Sequence, residues 1–150
     1  MSGIDGGLLP VVDVVSAPFW DGCAAGELRV QRCGDCGERR MPPRPMCPAC
    51  RSLNVVWEPT SGLGRIWSFV VAHPPLLAAY DAQAPYNVIV VELDENPSIR
   101  FVGNLVSSAD GRLDEVDPAT IRIGDAVRVV FASPVEDDAG PVTFPRWILR

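Results

Sequence analysis

The sequence predicts a mainly β protein of the α+β class, and three observations indicate this class. The 150 residues include thirteen glycines and fifteen prolines, which interrupt the chain too often for a helical bundle. Short runs in which apolar and polar residues alternate are separated by turn residues, as in a small barrel or sandwich. Four of the five cysteines form two Cys-x-x-Cys pairs, which favours a metal site over a disulfide framework.

The first predicted element is a short helix over residues 17–25. Ser16 can act as its N-cap, Pro18 suits the first turn, and Gly26 can end the helix in a left-handed conformation. The chain is then expected to comprise a flexible arm at 1–15, a helix and zinc ribbon at 16–52, and a barrel at 53–150.

Alternating residues from Glu27 predict a strand that leads directly into Cys33. Five barrel strands are expected at 55–58 continuing after Gly64 as 65–71, then at 87–93, 98–106, 126–131 and 144–149. Residues 64–71 are apolar on both faces, so we expect the outer side of this strand to be covered. The N-terminal helix is the candidate cover.

The two cysteine pairs lie ten residues apart and predict a metal site. Its expected ligands are Cys33, Cys36, Cys47 and Cys50. Four protein ligands leave no position for water or substrate, so a bound Zn²⁺, one per chain, would be structural. Iron in an electron-transfer site uses the same ligands and remains an alternative. Gly37 suits the positive φ needed after the first pair, whereas Arg51 at the matching position suits it less.

Composition restricts the chemistry that the chain can perform alone. All thirteen basic residues are arginine, so Schiff-base chemistry and phosphate-binding lysine motifs are excluded. His73 is the single histidine, which disfavours histidine-based triads. The net charge of −6 argues against general binding of nucleic acid. No targeting or membrane-spanning pattern is evident, so we expect a cytoplasmic location and no membrane association.

Two further stretches are candidate contact sites. The ribbon is rich in arginine, including Arg39, Arg40 and Arg44, and is either a solvated face or an anion site for a nucleotide phosphate or an acidic partner. A long apolar loop follows the first barrel strand and either packs locally or contacts a ligand or partner. Its candidate residues are His73, Pro74, Pro75, Leu76, Tyr80 and Tyr86.

From Phe19 to Arg150, the chain resembles the zinc-ribbon and OB-fold proteins associated with acyl-CoA enzymes, long catalogued as a domain of unknown function. The matching residues are Phe19-Trp20, Leu28-x-Val30-Gln31-Arg32-Cys33-x-x-Cys36-Gly37, Pro42-Pro43-Arg44, Cys47-Pro48-x-Cys50, Gly64, His73-Pro74-Pro75, Pro85-Tyr86-x-Val88, Val91-Glu92-Leu93 and Ile123-Gly124-Asp125-x-Val127. Together these motifs are specific, whereas any one alone would be weak.

The resemblance implies a five-stranded OB-fold barrel and a non-catalytic subunit of a hetero-oligomeric, thiolase-like enzyme, such as a retro-aldolase, thiolase or acyltransferase of lipid or steroid side-chain metabolism. The subunit would help to shape the channel for a CoA thioester. The region His73–Tyr86 would line the acyl or pantetheine path, and the ribbon arginines would meet the partner or the CoA phosphates. A hydratase partner is a further possibility. The alternative from another class is a module that binds single-stranded nucleic acid, because ribbons and OB-folds both do so.

Overall fold

The structure is a computed structural model that describes residues 8–150. Its elements are α1 (Ala17–Ala24), β1 (Arg29–Cys33), β2 (Arg39–Arg40), β3 (Val55–Pro59), β4 (Leu63–Ala72), α2 (Ala78–Asp81), β5 (Tyr86–Leu93), β6 (Arg100–Gly103), β7 (Ala126–Phe131), β8 (Val135–Asp137), β9 (Gly140–Val142) and β10 (Pro145–Leu149). The strands form a ribbon sheet in the order β2-β1-β3, a barrel sheet in the order β10-β7-β4-β5-β6, and the hairpin β8-β9. The predicted mainly β class is confirmed.

Ser16 is the N-cap residue of helix α1, as predicted, but its side chain makes no cap hydrogen bond to the helix. Instead, the backbone N–H of Ser16 donates to Asp13 Oδ1 at 2.8 Å, and Ala17 N–H donates to the Asp13 carbonyl at 2.8 Å. The carboxylate of Asp13 thus satisfies an N-terminal donor one turn earlier. Gly26 follows the helix with φ of +76°, as predicted.

The strand predicted to open the barrel lies in the ribbon sheet instead. β3 pairs antiparallel with β1, and Trp57 lies opposite Gln31. After the second cysteine pair, the chain runs back antiparallel to β1. The alternating residues of β3 therefore complete the ribbon sheet before the barrel starts. Thr60 Oγ1 then accepts a hydrogen bond from Gly62 N–H at 3.2 Å, and Gly62 adopts φ of +69°. This turn separates β3 from β4, so the predicted continuous strand is wrong.

The barrel sheet is centred on β4, which pairs with β5 and β7. Leu105 forms a parallel bridge with Trp147 of β10 and closes the barrel on the other side. Inside lie the residues with the least exposure, among them Leu28, Val30, Ile66, Ile89, Val91, Leu93, Phe101, Leu105, Val127 and Trp147. Val30 of β1 and Leu28, which directly precedes the strand, therefore contribute to one core that the ribbon and the barrel share.

A buried asparagine completes the barrel closure. Asn87 is fully buried, and its Nδ2 donates to the Leu105 carbonyl at 2.9 Å while its Oδ1 accepts from Leu105 N–H at 2.7 Å. Asn104 Nδ2 donates to the Asn87 carbonyl at 2.6 Å. The Asn87 side chain thus pairs with a neighbouring segment as a backbone group would in a sheet.

Helix α1 does not cover the outer side of β4. Phe19 stacks on Phe101 with ring centroids 6.3 Å apart, and Trp20 meets Phe144 edge-on at 5.9 Å. The helix therefore fills the junction of ribbon and barrel, where larger apolar surface is available. Trp67 and Val70 on the outer side of β4 stay 46% and 61% exposed, so the predicted helical cover is wrong.

The N-terminal arm is described only in part. Residues 1–7 of the predicted arm lie outside the described residues. Leu9 and Pro10 line a groove of about 330 Å³ together with Trp20 and Pro141 of the β8-β9 hairpin. Within residues 8–150, neither helix has the length and apolar character that crossing a bilayer requires.

Candidate functional site

The four predicted cysteine ligands converge on one point. The Sγ atoms of Cys33 and Cys50 lie 3.6 Å apart, as do those of Cys36 and Cys47, and all four lie within 4.8 Å of one another. Zinc–sulfur bonds of about 2.3 Å in a tetrahedron place sulfur atoms about 3.8 Å apart. The donor set therefore fits Zn²⁺ with four protein ligands, which leaves no open position for catalysis.

Backbone amides prepare the two buried thiols for metal binding. Cys36 N–H points to Cys33 Sγ at 3.5 Å, and this bond holds the pKa of Cys33 at about 6. The Cys50 backbone N–H likewise lowers the pKa of Cys47. A lower pKa favours the thiolate, which is the form that binds metal.

The two cysteine turns share one backbone geometry. Gly37 N–H donates to the Cys33 carbonyl at 3.1 Å, and Arg51 N–H donates to the Cys47 carbonyl at 2.9 Å. Gly37 has φ of +79°, and Arg51 has φ of +66° despite its side chain. The two turns therefore have the same backbone shape. The expected difference between them is one of strain, because Arg51 adopts a conformation that suits glycine better.

The left-handed conformation of Arg51 leads to a prediction about stability. Because the left-handed conformation costs a residue with a Cβ more than it costs glycine, we expect Arg51→Gly to raise the free energy of unfolding by roughly 0.5–1 kcal/mol. Thermal melts of both proteins, each with one zinc bound, measure the difference. A lower melting temperature for the variant would mean that the Arg51 side chain stabilises the ribbon more than its φ strains it.

The predicted ribbon arginines do not form one patch. Arg39 pairs with Glu58, as does Arg32, whose Nε lies 3.3 Å from the same carboxylate. Arg40 points to the opposite face of the sheet, because adjacent strand residues alternate. Arg40 is only 8% exposed, and its guanidinium donates to the Arg44 carbonyl at 3.3 Å and has two nitrogen atoms without a partner among residues 8–150. Arg44 itself is exposed.

The predicted contact loop projects from one end of the barrel. β4 and β5 run side by side up to the pair Ala72 and Tyr86, and residues 73–85 connect them. His73, Pro74 and Pro75 are exposed, Leu76 is half-buried, and the Tyr80 and Tyr86 rings lie 6.3 Å apart. In the described part of the chain, His73 has no hydrogen-bond partner. Among residues 8–150, no side chain therefore orients His73 through a hydrogen bond, as the partner of a catalytic acid or base would.

Two anchors that sequence reasoning missed hold this loop. Leu113 N–H donates to Gln83 Oε1 at 3.0 Å, and Arg112 donates to the Ala82 carbonyl at 3.3 Å. Arg146, itself buried, secures the same acidic segment by donating to the Gly111 carbonyl at 2.7 Å. The loop tip is therefore presented on a fixed base.

The remaining cysteine is no candidate nucleophile. Cys23 lies on the buried side of α1, and burial raises its pKa to about 12. A thiol with such a pKa stays protonated at neutral pH, so it is a poor nucleophile. This agrees with its predicted role in the core.

Comparison with known sequences identifies both halves of this arrangement. Residues 20–56 match the family described as "ChsH2, rubredoxin-like zinc ribbon domain", and residues 57–132 match "ChsH2, C-terminal OB-fold domain". The chain belongs to this ChsH2 family. The resemblance inferred from the sequence and the OB-fold assignment of the barrel are thus confirmed.

Three similar proteins place the chain within the family. The 3-oxo-4,17-pregnadiene-20-carboxyl-CoA hydratase alpha subunit of Mycobacterium tuberculosis is 34% identical over 89% of this chain and 36% of its own length. A DUF35 domain-containing scaffold protein of Methanocaldococcus jannaschii is 31% identical over 75% of this chain and 74% of its own length. A solved chain described as "Ltp2-ChsH2(DUF35) aldolase" is 30% identical, with a TM-score of 0.75 over 94% of this chain and 98% of its own.

The chain spans about a third of the length of the hydratase alpha subunits that it matches. Its own match to the aldolase chain, in contrast, extends over nearly the whole of both. The ChsH2 fold of ribbon and barrel is therefore the part common to these proteins.

Proposed function

We propose that the protein is a non-catalytic accessory subunit of a thiolase-like acyl-CoA enzyme in lipid or steroid side-chain metabolism. The observation that carries this proposal is the near full-length likeness to the aldolase chain, whose description names a second component, Ltp2. As such a subunit, the chain stabilises its partner and shapes the channel for the CoA thioester.

The side-chain inventory supports a role without catalysis of its own. The chain has no lysine and a single histidine, which stands alone on an exposed loop. Its cysteines are either grouped as a complete metal ligand set or, at Cys23, buried with a raised pKa. Among residues 8–150, His73 hydrogen-bonds to no serine or cysteine, so the pairing of nucleophile and histidine that triad-type catalysis uses is absent there.

We assign the channel-lining role to the loop between His73 and Tyr86. It is exposed and apolar, and two tyrosines lie side by side at its base, so it offers a surface for the acyl or pantetheine portion of a thioester. Arg44, which is exposed in the ribbon, is a candidate for contact with the partner or the CoA phosphates, whereas Arg40 is nearly buried and donates to the Arg44 carbonyl.

Replacing His73 by alanine tests the loop. Because His73 is exposed and makes no hydrogen bond within the described residues, we expect the variant to assemble with wild-type affinity and to lower the turnover of the complex about tenfold. Val14→Ala, at an exposed position outside the loop, is the matched control. Lost assembly with unchanged turnover per complex would make His73 an interface residue and contradict the channel role.

A hydratase partner is the second candidate, and the names of two relatives favour it. Both are hydratase alpha subunits, of which this chain matches about a third. The identity of the co-purifying enzyme separates the candidates. A tagged chain recovered from its native host, followed by mass spectrometry, should carry a thiolase-like protein in stoichiometric amount. Recovery of a hydratase in stoichiometric amount would contradict the thiolase-like partner and support the hydratase partner. Recovery of an isolated chain would contradict both.

A further inference from the structure

On the outer side of β4, β5 and β6, residues 8–150 leave a surface of exposed and half-buried valines. Val70 lies opposite Val88, and Val90 lies opposite Val102, so the four side chains form two adjacent rows on one face. Val70 is 61% exposed and Val102 is 73% exposed. We call these four residues, together with Trp67, the valine face.

One end of the valine face is rimmed by arginines. Arg65, Glu92 and Arg100 lie in register across the three strands. The Arg100 guanidinium lies 3.7 Å from the Trp67 ring centroid, and Arg65 donates to the Gly124 carbonyl at 3.1 Å. In the part of the chain that the structure describes, neither arginine is within 4 Å of a carboxylate. Although the net charge is −6, this rim thus carries two arginines that form no salt bridge among residues 8–150.

The other end of the valine face continues into the proposed channel loop. The row next to Val70 and Val88 is formed by Ala72 and Tyr86, and Tyr86 lies beside Tyr80. A protein that covers the valine face would therefore also contact the base of the loop. The two surfaces together form one continuous strip from Arg100 to Tyr80.

The chemistry of the valine face disfavours nucleic acid, although OB-folds bind oligonucleotides on these strands. Single strands bind by stacking bases on accessible aromatic rings. Trp67 is the aromatic residue of the valine face itself, and the Arg100 guanidinium already occupies a side of its ring, while Tyr86 and Tyr80 lie beyond the far end of the face. Valines provide no stacking surface, and Glu92 between the two arginines repels phosphates.

We propose that the valine face docks a protein whose contact surface has an apolar centre and carboxylates that meet Arg65 and Arg100. Contiguous apolar patches on soluble proteins typically mark interaction sites, and charges at the rim of such a patch set specificity and the rate of association. The proposal rests on the proposed function, because the partner is the acyl-CoA enzyme subunit of that complex. Docking here also brings the loop from His73 to Tyr86 to the partner.

Charge insertion into the valine face tests the proposal. The dissociation constant is measured between the purified chain and the purified enzyme subunit, at low and high salt. Val102→Glu is expected to weaken binding at least about 30-fold, because docking would bury an unpaired carboxylate against an apolar surface. Leu53→Glu is the matched control, since Leu53 is also 73% exposed but lies in the ribbon, and it should bind within threefold of wild type. Zinc content and melting temperature show that both variants are folded.

Two further variants make the result decisive. Val70→Glu should reproduce the loss, and Arg100→Glu should weaken binding and reduce its dependence on salt. Wild-type affinity for Val102→Glu and Val70→Glu overturns the valine face while the complex itself stands. A wild-type chain that binds no enzyme subunit overturns the proposed function and this surface with it. Salt-sensitive binding of a poly-dT oligonucleotide, or dimerisation of the chain through this face, also overturns the proposal.

Discussion

Cys47→Ser is expected to empty the metal site and unfold the ribbon. Cys47 is fully buried, and its Sγ lies 3.6 Å from that of Cys36. Zinc binding supplies roughly 10–16 kcal/mol of folding free energy in small zinc domains, so the loss of one thiolate removes most of the stabilisation of the ribbon. Zinc content should fall from about one ion per chain to nearly none. Metal analysis and hydrogen exchange of β1 and β3 provide the measurements.

The matched control for this prediction is Cys23→Ser. Cys23 is equally buried but lies in α1, outside the ligand set, so the variant should keep its zinc and lose only packing stability. Retention of zinc and of the ribbon fold in Cys47→Ser would contradict the four-cysteine site. Intense red colour in the purified protein would instead identify iron.

Asn87→Leu is expected to destabilise the barrel by about 3–5 kcal/mol. The substitution removes both hydrogen bonds to Leu105 and leaves the Leu105 N–H and carbonyl buried without partners. Each buried group that loses its partner costs about 1–3 kcal/mol. Chemical denaturation measures the free energy of unfolding directly.

A graded comparison isolates the role of Asn87. Asn104→Ala removes the single bond to the Asn87 carbonyl and should cost only about 1 kcal/mol. Equal effects of the two variants, or a loss below about 1 kcal/mol for Asn87→Leu, would mean that the barrel closes without this side chain. Zinc content should stay unchanged in both, because neither residue contacts the ribbon ligands.

The metal site could be predicted because the two ligands of each pair lie close together in the sequence. Each cysteine pair forms its own turn, and the spacing alone directs two sulfurs to one point. Most strands were also predictable, since alternation survives wherever one face is buried. The strand over Ala126–Phe131, for example, has its predicted bounds.

The misplaced features depend on contacts between distant parts of the chain. The residues of β3 alternate as a barrel strand would, and only pairing with β1 assigns them to the ribbon. Asn87 looks like a polar residue at a strand start, and its partner at Leu105 lies eighteen positions away. Arg39 and Arg40 are neighbours in sequence and were grouped among the candidate contact residues, but adjacent residues of β2 point to opposite faces of the sheet. Arg51 shows that a metal turn can impose a conformation that its residue type disfavours.

The outer side of β4 is apolar and yet exposed. The sequence shows that both faces of this strand are apolar, and a single chain is expected to cover both. The structure covers one face with the core and leaves Trp67 and Val70 open. This apolar and exposed face is the surface that we propose for docking of the enzyme subunit.

Reconstitution of the enzyme distinguishes an accessory subunit from an enzyme in its own right. The chain and its co-purifying enzyme subunit are purified separately, and acyl-CoA turnover is measured for each and for the mixture. We expect no turnover by the chain alone, weak or no turnover by the enzyme subunit alone, and full turnover at equimolar mixing. Turnover by the chain alone, or full activity of the enzyme subunit without it, would contradict an accessory role.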